Sequence, residues 1–266
     1  MTSVPKLKLK SNYDIPIIGL GTYRLRGKEF LEKLKTALEL GYNHIDTAEM
    51  YRNEEEIGEA ISKYDRSELF ITTKVWKNNL HYRDVLESCE GSLKRLNTSY
   101  IDLYLIHWPN ESIPIKETLR AMEKLVSENK VRSIGVSNFS IQQVKEASNN
   151  TSLPICVNQV EFHPWLYQKK MLDFCQSKNI ILTAYTPIAR TQVFDEKVIQ
   201  DLVEKYDRTP AQIILRWEIQ KGVVAIPKSG SKKHLKENLQ IFDWELEKED
   251  EEKIDNIPTT KEIVNL

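Results

Sequence analysis

Gly19-Leu20-Gly21-Thr22-Tyr23-Arg24 closes the first long apolar run of the chain, Ile15 to Leu20. A strand opening a dinucleotide-binding doubly wound sheet usually carries Gly-x-Gly-x-x-Gly here, the third glycine letting the next helix pack closely. Arg24 holds that third position. The turn argues against the open sheet, and the rest of the chain must say what replaces it. Seven more apolar runs follow: Asn43 to Thr47, Leu69 to Val75, Ile101 to His107, Val131 to Ser137, Ile155 to Glu161, Ile180 to Tyr185 and Gly222 to Pro227. Each is too short for a helix and nearly continuous in apolar character, the texture of parallel strands covered on both faces.

Helical spacing fills the intervals. Phe30, Leu31, Leu34, Ala37 and Leu38 make one stripe, Val85, Leu86, Cys89, Leu93 and Leu96 a second, and Leu119, Met122, Leu125 and Val126 a third. Thr209-Pro210 supplies a cap and a first-turn proline before Ala211 to Gln220. Strand-helix units at intervals of about 30 residues suit βαβ crossovers, and eight of them close into a (β/α)8 TIM barrel. We expect one such domain over residues 1–266, a length that suits this fold. Leu7 to Lys10 and Asp14 to Ile17 flank a polar turn and read as an N-terminal hairpin plugging the barrel. Leu246 to Ile257, opening in a cluster of Glu and Asp, reads as an extra C-terminal helix.

The composition, 40% hydrophobic and 29% charged with net charge -1, is that of a globular protein. It offers no electrostatic reason to expect nucleic acid or an anionic membrane as partner. Neither a secretory leader nor a spanning segment is legible. Cys89, Cys156 and Cys175 are scattered and lack metal-ligand spacing, so reduced core thiols and a cytoplasmic location are expected.

Barrels of this kind work at the C-terminal ends of their strands. The second run ends with Asp46, with Tyr51 just beyond; the third ends near Lys74 and the fourth at His107. Singly, these could be a helix cap, a packing aromatic, a snorkelling lysine and a hydrogen-bonded edge residue. Together they bring an acid, a phenol, an ammonium and an imidazole to one mouth. Burying Lys74 demands a partner, and Asp46 is the natural one.

Gly41-Tyr42-Asn43-His44-Ile45-Asp46-Thr47-Ala48-Glu49-Met50-Tyr51-Arg52-Asn53-Glu54 resembles the signature of the aldo-keto reductase superfamily. So do Gly135-Val136-Ser137-Asn138-Phe139, Asn158-Gln159-Val160-Glu161-Phe162-His163-Pro164 and Ile226-Pro227-Lys228-Ser229. The length and Gly19-Leu20-Gly21-Thr22-Tyr23-Arg24-Leu25 resemble the prokaryotic branch with the 2,5-diketo-gluconate reductases.

The resemblance implies reduction of aldehydes and ketones by hydride from NADPH, with Asp46, Tyr51, Lys74 and His107 as catalytic tetrad. Charge developing on the carbonyl oxygen must be protonated or held by donors. Tyr51 is the acid, and a nearby Lys74 ammonium should lower its pKa. Asp46 holds Lys74, and a neutral His107 aligns the carbonyl. By resemblance Tyr23, Trp76 and Trp108, with Tyr51 and His107, wall the substrate pocket. Ser137, Asn138 and Gln159 meet the nicotinamide carboxamide, Tyr185 stacks on the ring, and Gly21, Thr22 and Asp46 lie nearby. Thr186, Pro187, Ile188 and Arg190 track the pyrophosphate. Ile226, Lys228 and Ser229 lead to the adenosine 2′-phosphate, and Glu237 and Asn238 flank adenine. No metal is required.

Three departures bear on function. His234 stands where NADPH-preferring relatives carry arginine, whose fork grips phosphate more firmly, so NADH should also be accepted. The segment Pro187 to Phe194 is short for a cofactor clasp, and the tail beyond Ile257 is short for a substrate lid, which suggests an open pocket and broad specificity. A monomer acting on small carbonyl compounds is expected. Two alternatives stay open: a Schiff-base aldolase using Lys74, and a non-catalytic nicotinamide-binding regulatory barrel.

Overall fold

The computed structural model describes residues 4–258 and 262–264. Its first elements are the expected hairpin: β1 (Lys6–Lys8) pairs antiparallel with β2 (Asp14–Pro16), Leu7 opposite Ile15. Asn12 turns it in the left-handed region, at φ 69°. Leu9 and Ile15 are buried in one cluster with Phe70, Leu103 and Cys156, residues from the first halves of barrel strands, so the hairpin caps the N-terminal end.

Eight parallel strands follow: β3 (Leu20–Gly21), β4 (His44–Asp46), β5 (Phe70–Val75), β6 (Ile101–Ile106), β7 (Val131–Ser137), β8 (Ile155–Glu161), β9 (Ile181–Tyr185) and β10 (Val224–Ala225). Each pairs with its neighbour in chain order. A parallel bridge between Ile18 and Ala225 joins last to first, with Gly19 N donating to Ala225 O at 2.8 Å and Gly21 N to Pro227 O at 3.1 Å. The architecture is the expected (β/α)8 barrel. Gly21 is the tight point of that closure, since a Cβ there would lie 2.6 Å from the Ile226 carbonyl oxygen.

The run Ile15 to Leu20 is not one barrel strand, as its apolar character had suggested. Ile15 pairs within the hairpin, Ile18 makes the closing bridge, and the first barrel strand is only Leu20–Gly21. A buried plug and a buried strand need the same apolar residues, so they merge in sequence.

The helices are α1 (Gly27–Glu39), α2 (Glu54–Ile61), α3 (Tyr82–Arg95), α4 (Ile115–Ser127), α5 (Ile141–Asn149), α6 (Lys169–Ser177), α7 (Lys197–Tyr206), α8 (Pro210–Gln220), α9 (Lys232–Asn238) and α10 (Lys248–Asp255). The α1 stripe is buried as expected. In α8, Thr209 and Gln212 form a capping box and Pro210 occupies the first turn. Two helices follow β9 instead of one, and α10 is the expected extra helix. Its acidic first turn is used: Asp250 accepts from Lys205, Tyr206 and Lys253 at 2.6–2.7 Å. No helix among the described residues is long and apolar enough to cross a membrane.

One buried group works against this packing. Glu218 of α8 is fully buried, and neither carboxylate oxygen has a hydrogen-bond partner among the described residues. Burial holds its pKa well above the ordinary 4.5. The folded protein therefore keeps the proton, while the unfolded chain loses it above pH 4.5, so stability falls as pH rises from there. Glu218→Met is expected to stabilise the fold at neutral pH by about 1–3 kcal/mol, and to flatten that fall. Urea melts of both proteins from pH 5 to pH 8 check it.

Candidate active site

The barrel's C-terminal rim is assembled by contacts between successive loops. Asn53 accepts from Thr47 Oγ1 at 2.7 Å and donates to the carbonyls of Thr22 and Leu25 at 3.0 and 2.9 Å. It thereby ties the loop after β3 to the one after β4. That second loop makes a 3₁₀ turn, Glu49–Tyr51, which delivers Tyr51 over the barrel mouth. Lys74 lies inside on β5, and His107 immediately follows β6.

Beneath the mouth Lys74 Nζ donates to Asp46 Oδ1 at 2.6 Å and to the Thr47 carbonyl at 2.8 Å. Gln159 Nε2 donates to Asp46 Oδ2 at 2.7 Å, so both carboxylate oxygens are engaged. The ammonium is fully buried. Burial pulls its pKa down while Asp46 pulls it back up. The pair is worth having only because these bonds offset the desolvation of both ions.

Above the pair, the Tyr51 ring centre is 5.2 Å from Lys74 Nζ and 5.6 Å from the His107 ring. The phenol departs from expectation. Burial first, then Asp46, Tyr185 and Tyr23, hold its pKa well above the usual 10. The Lys74 ammonium, 5.2 Å from the ring centre, does not outweigh that burial. The hydroxyl is thus a fully loaded proton donor at neutral pH.

His107 is the second donor. Burial, then Lys74, depress its pKa to about 2, so the ring is neutral. Its Nδ1 is buried without a partner among the described residues. A buried bare lone pair is tolerated better than a buried bare N–H, which places the ring proton on Nε2. His44, beneath the site, is likewise buried, with a pKa near 4.

Both imidazoles stay neutral in the fold while the unfolded chain takes up protons below pH 6.5. Stability is therefore lost as pH falls from 6.5 to about 4 for His44, and further down for His107. At pH 5 the expected loss is about 2 kcal/mol per imidazole. His44→Gln should shrink the loss between pH 7 and pH 5 in denaturant melts; an unchanged difference would show that His44 does not drive it.

These groups open onto a cavity of about 460 Å³, within the range of small-ligand sites. Gly21, Thr22, Tyr23, Asp46, Tyr51, His107, Trp108, Ser137, Asn138 and Gln159 line it, as do Tyr185, Thr186, Pro187, Ile188, Arg190, Ile226 and Lys228. Lys74 sits below its floor. Trp76 stands behind, edge-on to His107 at 5.2 Å, and lines a neighbouring groove. Ser229, His234, Glu237 and Asn238 fall outside the cavity. Ser229 bonds locally to Ser231, His234 is exposed, Glu237 meets Lys233, and Asn238 is buried.

Four lining residues were not foreseen: Arg24, Met50, Thr191 and Val264. Arg24 follows the Gly-Leu-Gly turn in a left-handed conformation, at φ 61°, a position that could have been flagged. Val264 had no signal at all. It brings the C-terminal segment to the cavity edge.

The wall after β9 is strained. Thr186, Ala189, Arg190 and Thr191 all have positive φ, between 46° and 69°. That backbone brings Arg190 near Lys228, whose pKa is lowered by burial and then by the Arg190 and Arg24 charges. Among the described residues no salt bridge neutralises these three cations. Such mutual repulsion fits a polyanion, and the phosphates of a dinucleotide suit it. At the other end Asn138 is held in place, donating to Ser137 Oγ and the His107 carbonyl at 3.0 Å and accepting from the Tyr185 hydroxyl at 2.9 Å.

The model of the Aldo/keto reductase family matches residues 17–258. The chain belongs to the aldo/keto reductase family. As such it is an oxidoreductase. It is 45% identical over 252 residues to a glyoxal reductase of Bacillus subtilis, covering 94% of this chain and 91% of that protein. To the methylglyoxal reductase DkgA of Escherichia coli it is 39% identical over 255 residues, covering 94% and 92%. This likeness accords with the branch its sequence resembles. The crystal structure of a Bombyx mori aldo-keto reductase in complex with NADP matches with a TM-score of 0.93 at 33% identity, over 100% of this chain and 96% of that one. Within this aldo/keto reductase, Lys74 is not presented as a Schiff-base amine: its ammonium faces Asp46 below the cavity floor.

Proposed function

We propose that this aldo/keto reductase reduces small aldehydes and ketones to alcohols with NADPH, short 1,2-dicarbonyls among them. The carrying observation is the joining of two features in one cavity: the loaded Tyr51 phenol beside neutral His107, and Arg24, Arg190 and Lys228, which form no salt bridge among the described residues. The same cofactor type in the Bombyx mori relative, and the dicarbonyl names of the bacterial relatives, support the reading.

When bound, the reduced nicotinamide supplies hydride to the carbonyl carbon. Tyr51 gives its hydroxyl proton to the oxygen, and His107 Nε2–H donates a hydrogen bond that orients it. The Asp46–Lys74 pair keeps a positive charge 5.2 Å below the phenol ring, where it steadies the phenolate left behind. Ser137, Asn138 and Gln159 are the residues for the carboxamide, with Tyr185 beside the ring. Lys228 and Arg190 hold phosphates. His234 lies exposed on α9, so its imidazole adds little grip, and NADH is accepted less well but measurably. In this reading the chain is a single-domain monomer working in the cytoplasm.

An NADPH-oxidation screen over aldehydes, 1,2-dicarbonyls, keto acids and keto sugars tests the proposal, with both cofactors titrated by fluorescence quenching. Turnover with several small carbonyls supports it. Saturable NADPH binding with no turnover across the panel overturns it in favour of a regulatory barrel.

A further inference from the structure

Among the described residues, the main chain of the C-terminal segment is bonded by one buried side chain, and Ile263 packs against the core. Glu161, at the end of β8 and 4% exposed, points both carboxylate oxygens at the main chain of that segment. Ile263 N donates to Oε1 at 2.5 Å and Val264 N to Oε2 at 3.1 Å. His163, fully buried, donates its Nε2–H to Oε1 at 2.9 Å and fixes the carboxylate from behind. Gln168 Nε2 donates to the Glu161 carbonyl at 2.7 Å and pins its backbone. Two consecutive amides on one ionised carboxylate make charge-assisted bonds, stronger than neutral ones. Directly beyond them Val264 lines the cavity that Tyr51 and His107 share.

We infer that Glu161 is a positioning residue which latches the chain's own C-terminal segment, and that through the latch Val264 sets the apolar wall against which the substrate's non-reacting end packs. The inference rests on the proposed reductase activity only for its kinetic consequence. The latch itself stands on geometry. The Glu161 side chain bonds the segment that carries Val264, so its loss acts on substrate binding; it also bears on Tyr185, its neighbour across the sheet, while Arg190 and Lys228 keep their places.

The experiment uses the full chain and reads amide hydrogen exchange at Ile263 and Val264. Both amides are protected in the parent protein and lose that protection at least tenfold in E161Q, where an NH₂ replaces one acceptor oxygen and confronts an N–H. Kinetics give the second readout. E161Q and V264A each raise KM for a short dicarbonyl by roughly tenfold, the scale of a lost methylene contact in a pocket, with KM for NADPH unchanged. The double variant shows no further rise, because an unlatched Val264 no longer forms the wall. If E161Q does not fold, I263P removes one donor with Glu161 and His163 intact, and must still expose the Val264 amide. Unchanged exchange in these variants, or KM effects that multiply in the double variant, overturns the latch. A protein that turns over no carbonyl yet shows the exchange result refutes the proposed function and leaves the latch standing.

Discussion

Replacing Tyr51 by phenylalanine is expected to lower kcat for every carbonyl substrate by about 10²–10⁴-fold, the usual contribution of a positioned general acid. The change deletes one oxygen and keeps the ring that packs against Tyr23, 5.0 Å between centres, and edge-on to His107. Stability should therefore hold. Cofactor affinity should hold too, because Arg190 and Lys228 are unaffected. The raised phenol pKa sharpens the expectation. A donor that remains protonated through neutral pH gives a reduction rate that is flat as pH rises, until the phenol itself ionises. Steady-state rates from pH 6 to pH 9, beside NADPH titrations of both proteins, measure this. A Tyr51→Phe protein with full activity would remove the phenol from the reaction.

The second large effect falls on the buried pair. Lys74→Met leaves Asp46 facing the protein interior with only Gln159 as side-chain donor among the described residues. Breaking a buried pair from one side costs about 3–5 kcal/mol, and the positive charge under the phenol is lost with it. Both stability and turnover should fall together. Adding Asp46→Leu removes the stranded charge, so the double variant should recover much of the lost stability while remaining inactive. Thermal or urea melts beside turnover assays separate the two roles. Recovery of activity in the double variant would show that the pair serves folding alone.

The particular residues show how far the sequence could be read. Eight nearly continuous apolar runs identify the barrel, because strands buried on both faces leave no alternation to confuse with anything else. That Asp46, Tyr51, Lys74 and His107 converge on one mouth was legible since each lies at or just past the C-terminal end of a strand, a rule of barrels that needs no coordinates. The boundary of the first strand was not legible, because Ile15 and Ile18 serve a plug and a closure in one unbroken run. The direction of the Tyr51 shift was not legible either. It depends on how completely the ring is buried among Asp46, Tyr185 and Tyr23, and spacing along the chain carries no burial. Glu218 looks like any polar position on a helix, and only the second helix after β9 and the packing around α8 reveal that it is buried. Val264 lies 103 residues from Glu161 and has no local pattern, so its place in the cavity wall is purely tertiary information.

The most direct test of the central claim follows the hydride itself. With NADPH deuterated at nicotinamide C4 and methylglyoxal as substrate, the account predicts product alcohol carrying deuterium on the former carbonyl carbon, read by mass spectrometry, with one NADPH consumed per alcohol formed. Product formed without consuming NADPH, or with deuterium absent from that carbon, would contradict it.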